Sequence, residues 1–162
     1  MRVAILTIST SRAAAGGTDE SGDGLEQFAL GLGGEIAARE LIGDDAALIS
    51  ERLRHFSDIE RCALVLTTGG TGVAPHDVTP EATRAVIERD VPGIAEAMRD
   101  ASRSHTKHWL LSRAVAGIRG ETLIVNFPGN PRAIAQTTAA IADALPHALA
   151  LIAGAPTEHR SL

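Results

Sequence analysis

The stretch Ala63-Leu64-Val65-Leu66-Thr67-Thr68-Gly69-Gly70-Thr71-Gly72 joins an apolar run to a run of glycines. The apolar part is typical of a strand that is buried on both faces of a parallel sheet. The glycines let backbone N–H groups turn toward an anion, and a helix that starts at Thr79-Pro80-Glu81 adds partial positive charge. A phosphate site and a purely structural turn fit this loop about equally well. It is neither a Walker A loop nor a Gly-x-Gly-x-x-Gly fingerprint.

Outward from this stretch, apolar runs alternate with segments of helical spacing along the chain. Such alternation indicates βαβ units, so we predict a three-layer α/β/α sandwich with a mostly parallel sheet. The segment from Ser9 to Gly22 is predicted to be a loop, and Thr79 and Asn130 are expected to cap helices. Strands are predicted at 3–8, 35–42, 63–68, 112–118 and 122–127, and helices at 24–32, 44–56, 79–90, 94–104, 131–144 and from 146 to 154.

Composition limits the classes of function. The 162 residues predict one domain, 1–162, and a net charge of −5 with 2% aromatic residues argues against nucleic-acid binding. Cys62 is the only cysteine, which excludes an internal disulfide, and it is expected to pack beside a strand. No run of 18 apolar residues and no signal peptide is found, so we expect no membrane span and a cytoplasmic location. His105 and His108, the only close histidine pair, are expected at the surface.

Two acidic positions are candidates for metal binding. Asp77 lies within the candidate anion loop, where it would repel a phosphate unless Mg²⁺ lies between them. A loop-capping role for Asp77 is an equally good interpretation. Asp44 and Asp45 follow the second predicted strand, and acidic residues at such a place are usually helix caps. If that strand end faces the ligand, one of them is a second contact to Mg²⁺ or nucleotide.

Two further loops follow predicted strands. Pro128-Gly129-Asn130-Pro131 presents free N–H groups at a helix start, and Ser9, Ser11 and Arg12 offer hydroxyls and one cation. A chain turn and a solvated loop explain these residues equally well. The carboxyl ends of parallel strands share one edge, so together the loops favour phosphoryl or nucleotidyl transfer with Mg²⁺.

Several of these motifs occur together in the order found in a known family. Thr68-Gly69-Gly70-Thr71-Gly72, Asp77-Val78-Thr79-Pro80-Glu81-Ala82, Pro92-Gly93, Leu111-Ser112-Arg113-Ala114 and Pro128-Gly129-Asn130-Pro131 together resemble the signature of the molybdopterin adenylyltransferase family (MogA/MoaB type). The resemblance covers residues 2–153. It implies a three-layer fold that binds molybdopterin and uses Mg-ATP to adenylylate its terminal phosphate, with release of pyrophosphate.

The resemblance also implies roles for particular residues. Asp77 and Asp44 correspond to catalytic and Mg²⁺-binding aspartates. Family members are typically homotrimers or hexamers, and their product passes to a molybdenum insertase. The substrate-binding positions that the resemblance and the loops together suggest are Ser9, Arg12, Thr68, Gly69, Gly70, Thr71, Gly72, Ser112, Arg113, Pro128, Gly129 and Asn130.

Three positions depart from the family pattern. His76 stands where arginine is usual, Ser11 replaces a common aspartate, and Glu20 stands where an aspartate is usual. Two alternatives to an adenylyltransferase stay open: a non-catalytic molybdopterin-binding or scaffold protein, and a detached domain similar to those of the competence-damage-inducible or insertase families. The presence of both Asp77 and Asp44 favours an active enzyme.

Overall fold

A computed structural model describes residues 1–155 of the chain. Six strands and seven α-helices alternate along these residues, together with one π-helical turn, His55–Ile59, and one 3₁₀ helix, Lys107–Leu111. In chain order the elements are β1 (Arg2–Ile8), α1 (Thr10–Ala15), α2 (Glu20–Gly31), β2 (Glu35–Ile42), α3 (Ala46–Arg54), β3 (Leu64–Thr68), α4 (Thr79–Arg84), β4 (Arg89–Asp90), α5 (Pro92–Ser102), β5 (Ala116–Arg119), β6 (Thr122–Phe127), α6 (Pro131–Ile141) and α7 (Leu145–Ile152).

The strands form one sheet in the order β2-β1-β3-β6-β5-β4. β1 pairs in parallel with β2 and with β3, and β3 pairs in parallel with β6. β5 is antiparallel to both of its neighbours. The prediction of a mostly parallel sheet is therefore confirmed.

Side-chain alternation along the central strands builds two separate cores. In β1, Val3 and Ile5 belong to one buried cluster, whereas Ala4, Leu6 and Ile8 belong to the other. The first cluster includes residues of α2, α5, α6 and α7, and the second includes residues of α3, the π-helical turn and α4. Helices thus cover both faces of the sheet, which confirms the three-layer arrangement.

The first long loop is more ordered than its sequence predicts. Residues 10–15 form α1, because Ser9 adopts an extended backbone and its Oγ accepts the Arg12 N–H at 3.4 Å. α2 begins at Glu20, so Gly22 is helical, and Asp19 rather than Glu20 caps this helix by accepting the Gly22 N–H at 3.0 Å. The prediction of a loop over 9–22 is wrong at both ends.

The helix predicted over 79–90 is shorter in the structure. α4 ends at Arg84, and the chain then pairs with β5 as the short edge strand β4. Thr79 is the first residue of α4 and not its cap, because its Oγ1 donates to the Gly69 carbonyl at 2.9 Å. Pro92 starts α5 instead of interrupting the chain before it.

Other boundaries follow the predictions more closely. β2 and β6 have the predicted bounds, and Asn130 caps α6 by accepting the Arg132 N–H at 3.1 Å. The strand predicted over 112–118 starts later in the structure, where β5 spans Ala116–Arg119. α7 ends at Ile152, with Gly154 beyond it at a φ of +69°. Pro156, expected beyond this helix, lies outside the described residues.

Two expectations from composition can be compared with the structure. Cys62 is buried in the second core cluster, where burial raises the pKa of its thiol, as befits a packing residue. None of the helices in residues 1–155 is long and apolar enough to cross a membrane.

Asn126 joins several elements inside the fold. Its Nδ2 donates to Thr67 Oγ1 of β3 at 3.0 Å and to Thr83 Oγ1 of α4 at 2.9 Å. Its Oδ1 accepts the Val115 N–H at 3.3 Å, just before β5. Because the side chain is fully buried, each of these hydrogen bonds satisfies a group that water cannot reach.

We predict that Asn126→Ala lowers the free energy of unfolding by about 3 kcal/mol, because it leaves three buried polar groups without this partner. Thr83→Val, which removes one acceptor at nearly constant volume, is expected to cost only about 1 kcal/mol. Urea unfolding of both variants measures the difference. An Asn126→Ala loss no larger than that of Thr83→Val would contradict the assigned role.

Candidate functional site

The loops after β1, β3 and β6 meet at one edge of the sheet, with backbone against backbone. A Cβ on Gly69 would lie 2.1 Å from the Ile8 carbonyl oxygen, and a Cβ on Gly129 would lie 3.1 Å from Gly69 Cα. Gly69 also has a φ of +100°, which side chains disfavour. β2 and β3 lie on opposite sides of β1 in the sheet. The order in which strands are added to the sheet therefore reverses at the boundary between β1 and β3. Ligands of open α/β sheets bind at such a point.

A cleft of about 530 Å³ opens at this point, and we call it the first cleft. It brings together Asp44 after β2, Asp77 in the glycine-rich loop and Ser9 after β1, as the sequence predicts. Its full lining is Ile8, Ser9, Thr10, Ser11, Asp44, Gly70, His76 and Asp77.

Asp44 and Asp45 have different roles although they are adjacent. Asp45 Oδ1 accepts the Leu48 N–H at 2.9 Å and caps α3. Asp44 Oδ2 instead accepts the backbone N–H of Thr10 at 2.8 Å and its Oγ1–H at 2.7 Å. Asp44 therefore connects the end of β2 to the start of α1 while lining the first cleft.

Asp77 lies at the end of a tight turn. Its Oδ2 accepts the Ala74 N–H at 2.9 Å, and its own N–H donates to the Ala74 carbonyl, also at 2.9 Å. The loop is closed at its base by Thr79, whose N–H donates to the Gly70 carbonyl at 3.1 Å. Asp77 thus combines the loop-capping role considered from the sequence with a position in the first cleft.

Among the described residues, the side chains that line the first cleft include two carboxylates, and none of them belongs to a lysine or an arginine. Within residues 1–155, no group of three or more His, Cys, Asp or Glu side chains could hold a metal ion. Mg²⁺ commonly binds through one or two carboxylates and completes its shell with water and substrate phosphates. The pair Asp44 and Asp77 fits that pattern.

A second cleft, of about 480 Å³, lies beside the loop after β6. It contains the predicted residues Ser112, Pro128 and Asn130. Its full lining is Met98, Arg99, Ser102, His105, Thr106, His108, Trp109, Ser112, Pro128, Asn130, Arg132, Ala133, Gln136 and Thr137. The cationic and aromatic members were not predicted. The signal available in the sequence was the single tryptophan, Trp109, three residues before Ser112.

His105 and His108 are exposed, as expected, but both line the second cleft. They do not share an α-helical face, because α5 ends at Ser102 and His108 lies in the 3₁₀ helix. Arg99 lies in α5 and donates from Nη1 to the Ala114 carbonyl at 3.1 Å. The second cleft therefore combines permanent cations, imidazoles and an indole.

Seven of the predicted substrate-binding residues line neither of these clefts within the described part of the chain. Thr68 is buried and donates from Oγ1 to the Pro128 carbonyl at 2.8 Å, which joins two of the loops. Ser21 Oγ similarly donates to the Gly129 carbonyl at 3.0 Å. The seven residues are Arg12, Thr68, Gly69, Thr71, Gly72, Arg113 and Gly129.

Asp19 anchors the segment that follows α1. Its carboxylate accepts hydrogen bonds from Thr7 Oγ1 at 2.7 Å and from Arg39 Nη2 at 3.2 Å, besides the Gly22 N–H. Burial by itself would raise the pKa of Asp19, but the three donors outweigh it and hold the pKa below the ordinary aspartate value. The carboxylate therefore stays ionised at neutral pH and holds α2 against β1 and β2.

The open sheet, the glycine-rich loop and the carboxylate pair define an α/β protein built to bind an anionic ligand at the carboxyl edge of its parallel strands. Residues 4–147 match the family described as probable molybdopterin binding domain. The chain belongs to this family.

Individual relatives agree with the family assignment. The chain is 42% identical over 148 residues to the molybdopterin adenylyltransferase of Escherichia coli K12, covering 89% of this chain and 75% of the relative. It is 40% identical over 152 residues to the molybdenum cofactor synthesis protein cinnamon of Drosophila melanogaster, covering 91% of this chain. This chain spans only 25% of the Drosophila protein.

A solved structure supports the fold. The molybdopterin biosynthesis enzyme MoaB from Thermus thermophilus superposes with a TM-score of 0.89 at 44% sequence identity. The match covers 96% of this chain and 98% of that protein.

Gly70 lines the first cleft at a place where an added side chain would be strained. Its φ is +63°, and a Cβ there would lie 2.4 Å from Thr79 Oγ1 and 3.2 Å from Asp44 Oδ1. We predict that Gly70→Ala lowers the free energy of unfolding by about 2 kcal/mol or more, from the strained backbone and the close contacts together.

Gly31 provides the matched control, because a Cβ there would meet nothing within 4 Å and the residue ends α2. Gly31→Ala is expected to stabilise the fold by about 0.5 kcal/mol. Urea unfolding compares the two variants. Equal stability of the two alanine variants would show that the Gly70 conformation is not required.

Proposed function

We propose that this protein transfers the adenylyl group of ATP to molybdopterin. An oxygen of the pterin's terminal phosphate attacks the α-phosphorus of ATP, the bond from that phosphorus to the bridging oxygen breaks, and pyrophosphate leaves. The observation that carries the proposal is the meeting of Asp44 and Asp77 in one cleft beside the glycine-rich loop. The named activity of the Escherichia coli relative supports it.

The first cleft is assigned to the reacting phosphates. Gly70 lines this cleft, and the glycine loop around it offers a backbone that phosphate oxygens can approach closely. Ser9 and Ser11 add hydroxyl groups on the β1 side. Such transfers depend mainly on the positioning of the groups and on the stabilisation of charge, rather than on a protein nucleophile.

Asp44 and Asp77 are the residues that would hold Mg²⁺. When bound, the ion neutralises phosphate charge that the two carboxylates would otherwise repel. Asp44 is fixed by Thr10 and Asp77 by Ala74, so both carboxylates are oriented by the backbone before any ligand arrives. Orientation in advance reduces the reorganisation that the reaction requires.

The second cleft is assigned to the pterin. Asn130 and Ser112 line it with polar groups, and Trp109 supplies a ring beside which a heterocycle can pack. The low aromatic content of the chain suggests recognition by backbone amides, hydroxyls and Mg²⁺, but Trp109 and Arg99, which both line the second cleft, add stacking and charge. The loops that border the two clefts touch at Gly129, whose backbone packs against Gly69.

One observation favours the alternative of a protein that binds molybdopterin without catalysis. His76 lines the first cleft where the family usually has arginine, so no permanent cation is found among the side chains of residues 1–155 that line it. A binding protein would need the second cleft but not the carboxylate pair. Whether turnover requires Asp77 therefore distinguishes the adenylyltransferase from the binding protein.

The family resemblance also leads us to propose a homotrimer or hexamer, a molybdenum insertase as recipient of the product, and a cytoplasmic location. Val73, Leu110 and Leu111 are exposed apolar side chains in two segments beside the site. These segments are joined by the hydrogen bond from Arg113 N–H to the Thr71 carbonyl. Exposed apolar side chains of this kind support an interface with another copy or a partner.

We predict that Asp77→Asn lowers pyrophosphate release from Mg-ATP by about a hundredfold or more, because the charge that holds the metal is lost. The affinity for molybdopterin is expected to stay near that of the wild type, since the pterin is assigned to the other cleft. Pyrophosphate release and molybdopterin binding, measured on the same preparations, test both statements.

Asp45→Asn is the matched control. It makes the same charge change one residue from Asp44, but an asparagine keeps the cap of α3, so turnover should stay near the wild-type value. A wild-type protein that binds molybdopterin yet releases no pyrophosphate from Mg-ATP would overturn the proposed activity and leave the binding function.

A further inference from the structure

The side chain of Arg113 faces the protein backbone rather than either cleft. Its Nε donates to the Gly72 carbonyl and its Nη2 to the Asp77 carbonyl, each at 2.6 Å. Nη1 and Nη2 both donate to the carboxylate of Glu81, the latter at 3.3 Å. The backbone N–H of Arg113 donates to the Thr71 carbonyl at 2.9 Å. Three residues of the glycine-rich loop are thus held by this one residue.

Arg113 lies on the outer side of this loop. Together with Glu81, Val78 and Val73 it borders a groove that shares only one residue, Asp77, with the first cleft. Asp77 therefore lines both surfaces, and its carbonyl accepts a hydrogen bond from the guanidinium of Arg113. This arrangement differs from the substrate-binding role that the family resemblance implies for Arg113.

Glu81 orients the guanidinium. It occupies the first turn of α4, and its hydrogen bonds with Arg113 lower the pKa of its carboxyl, so it is ionised at neutral pH. A planar guanidinium paired with a carboxylate keeps its remaining N–H groups in fixed directions. Those directions lead to the carbonyls of Gly72 and Asp77.

Within residues 1–155, few hydrogen bonds other than those of Arg113 hold this loop. Thr79 fixes only the base, at the carbonyls of Gly69 and Gly70. Between the base and Asp77, the turn is closed by the two hydrogen bonds between Ala74 and Asp77. The position of the Asp77 carboxylate therefore depends on where Arg113 places the backbone that carries it.

We propose that Arg113 is a positioning residue, held in orientation by Glu81, that sets the place of the Asp77 carboxylate through the carbonyls of Gly72 and Asp77. The kinetic part of this proposal rests on the proposed function, since it requires Asp77 to act in adenylyl transfer. The structural part concerns the loop alone and can be tested without turnover.

Arg113→Lys is the decisive variant, because lysine keeps the charge but cannot reach two carbonyls and a carboxylate in one plane. We expect kcat for pyrophosphate release to fall by about a hundredfold, as for a small misplacement of a reacting group, with KM for molybdopterin unchanged. We also expect about tenfold faster amide hydrogen exchange at Ala74 and Asp77. Glu81→Gln, which weakens the pair but keeps the arginine, should show smaller changes in the same direction.

Arg84→Lys serves as the control, because Arg84 is an exposed residue of the same helix and should change neither quantity. If Arg113→Lys does not fold, the exchange rates at Ala74 and Asp77 in Glu81→Gln test the positioning role instead. A raised KM for molybdopterin with kcat and exchange unchanged would show direct substrate binding and overturn the proposal, as would wild-type exchange rates in both variants. If the wild type shows no turnover, the proposed function is contradicted. Faster exchange at Ala74 and Asp77 in the two variants would then still support the positioning role of Arg113.

Discussion

The contact between the backbones of Ile8, Gly69 and Gly129 is the constraint on which the site depends. A Cβ on Gly69 would overlap the Ile8 carbonyl oxygen, and one on Gly129 would press against Gly69 Cα. Because these residues follow or end β1, β3 and β6, the three loops begin at contact distance. A side chain at Gly69 would push the β3 loop away from the end of β1. Asp77, which the β3 loop carries, would then move away from Asp44, which is held by Thr10 after β1.

This crowding explains how three side chains near the site are used. Thr68, Thr79 and Arg113 donate to loop carbonyls, so they hold the loops rather than face the clefts. The side chains left for a ligand at the first cleft include those of Ser9, Asp44 and His76. The proposed function accordingly assigns phosphate binding at the first cleft to backbone amides and a metal ion. Among the described residues, Arg99 and Arg132 line the second cleft, and no arginine lines the first.

Much of the fold could be predicted because it depends on local pattern. β6 is an unbroken buried strand, and Asn130 with the following Pro131 is a strong start signal for a helix. Asp77 and Asp44 could be proposed as partners because parallel strands end at one edge.

α1 and β4 were missed because tertiary pairing decides them: α1 is exposed and held by Asp44, and β4 forms two pairs with β5. The role of Arg113 and the lining of the second cleft could not be predicted from the sequence, for a similar reason. A motif shows that an arginine is near the site, but not whether its five donors face ligand or backbone.

A single substrate that spans both clefts across the glycine-rich loop is central to the proposed function. A crystal structure of this protein with bound molybdopterin tests this arrangement most directly. We predict that the terminal phosphate lies against the backbone at Gly70 and that the pterin ring lies beside Trp109. A pterin bound away from the second cleft, or a phosphate remote from Asp44 and Asp77, would contradict it.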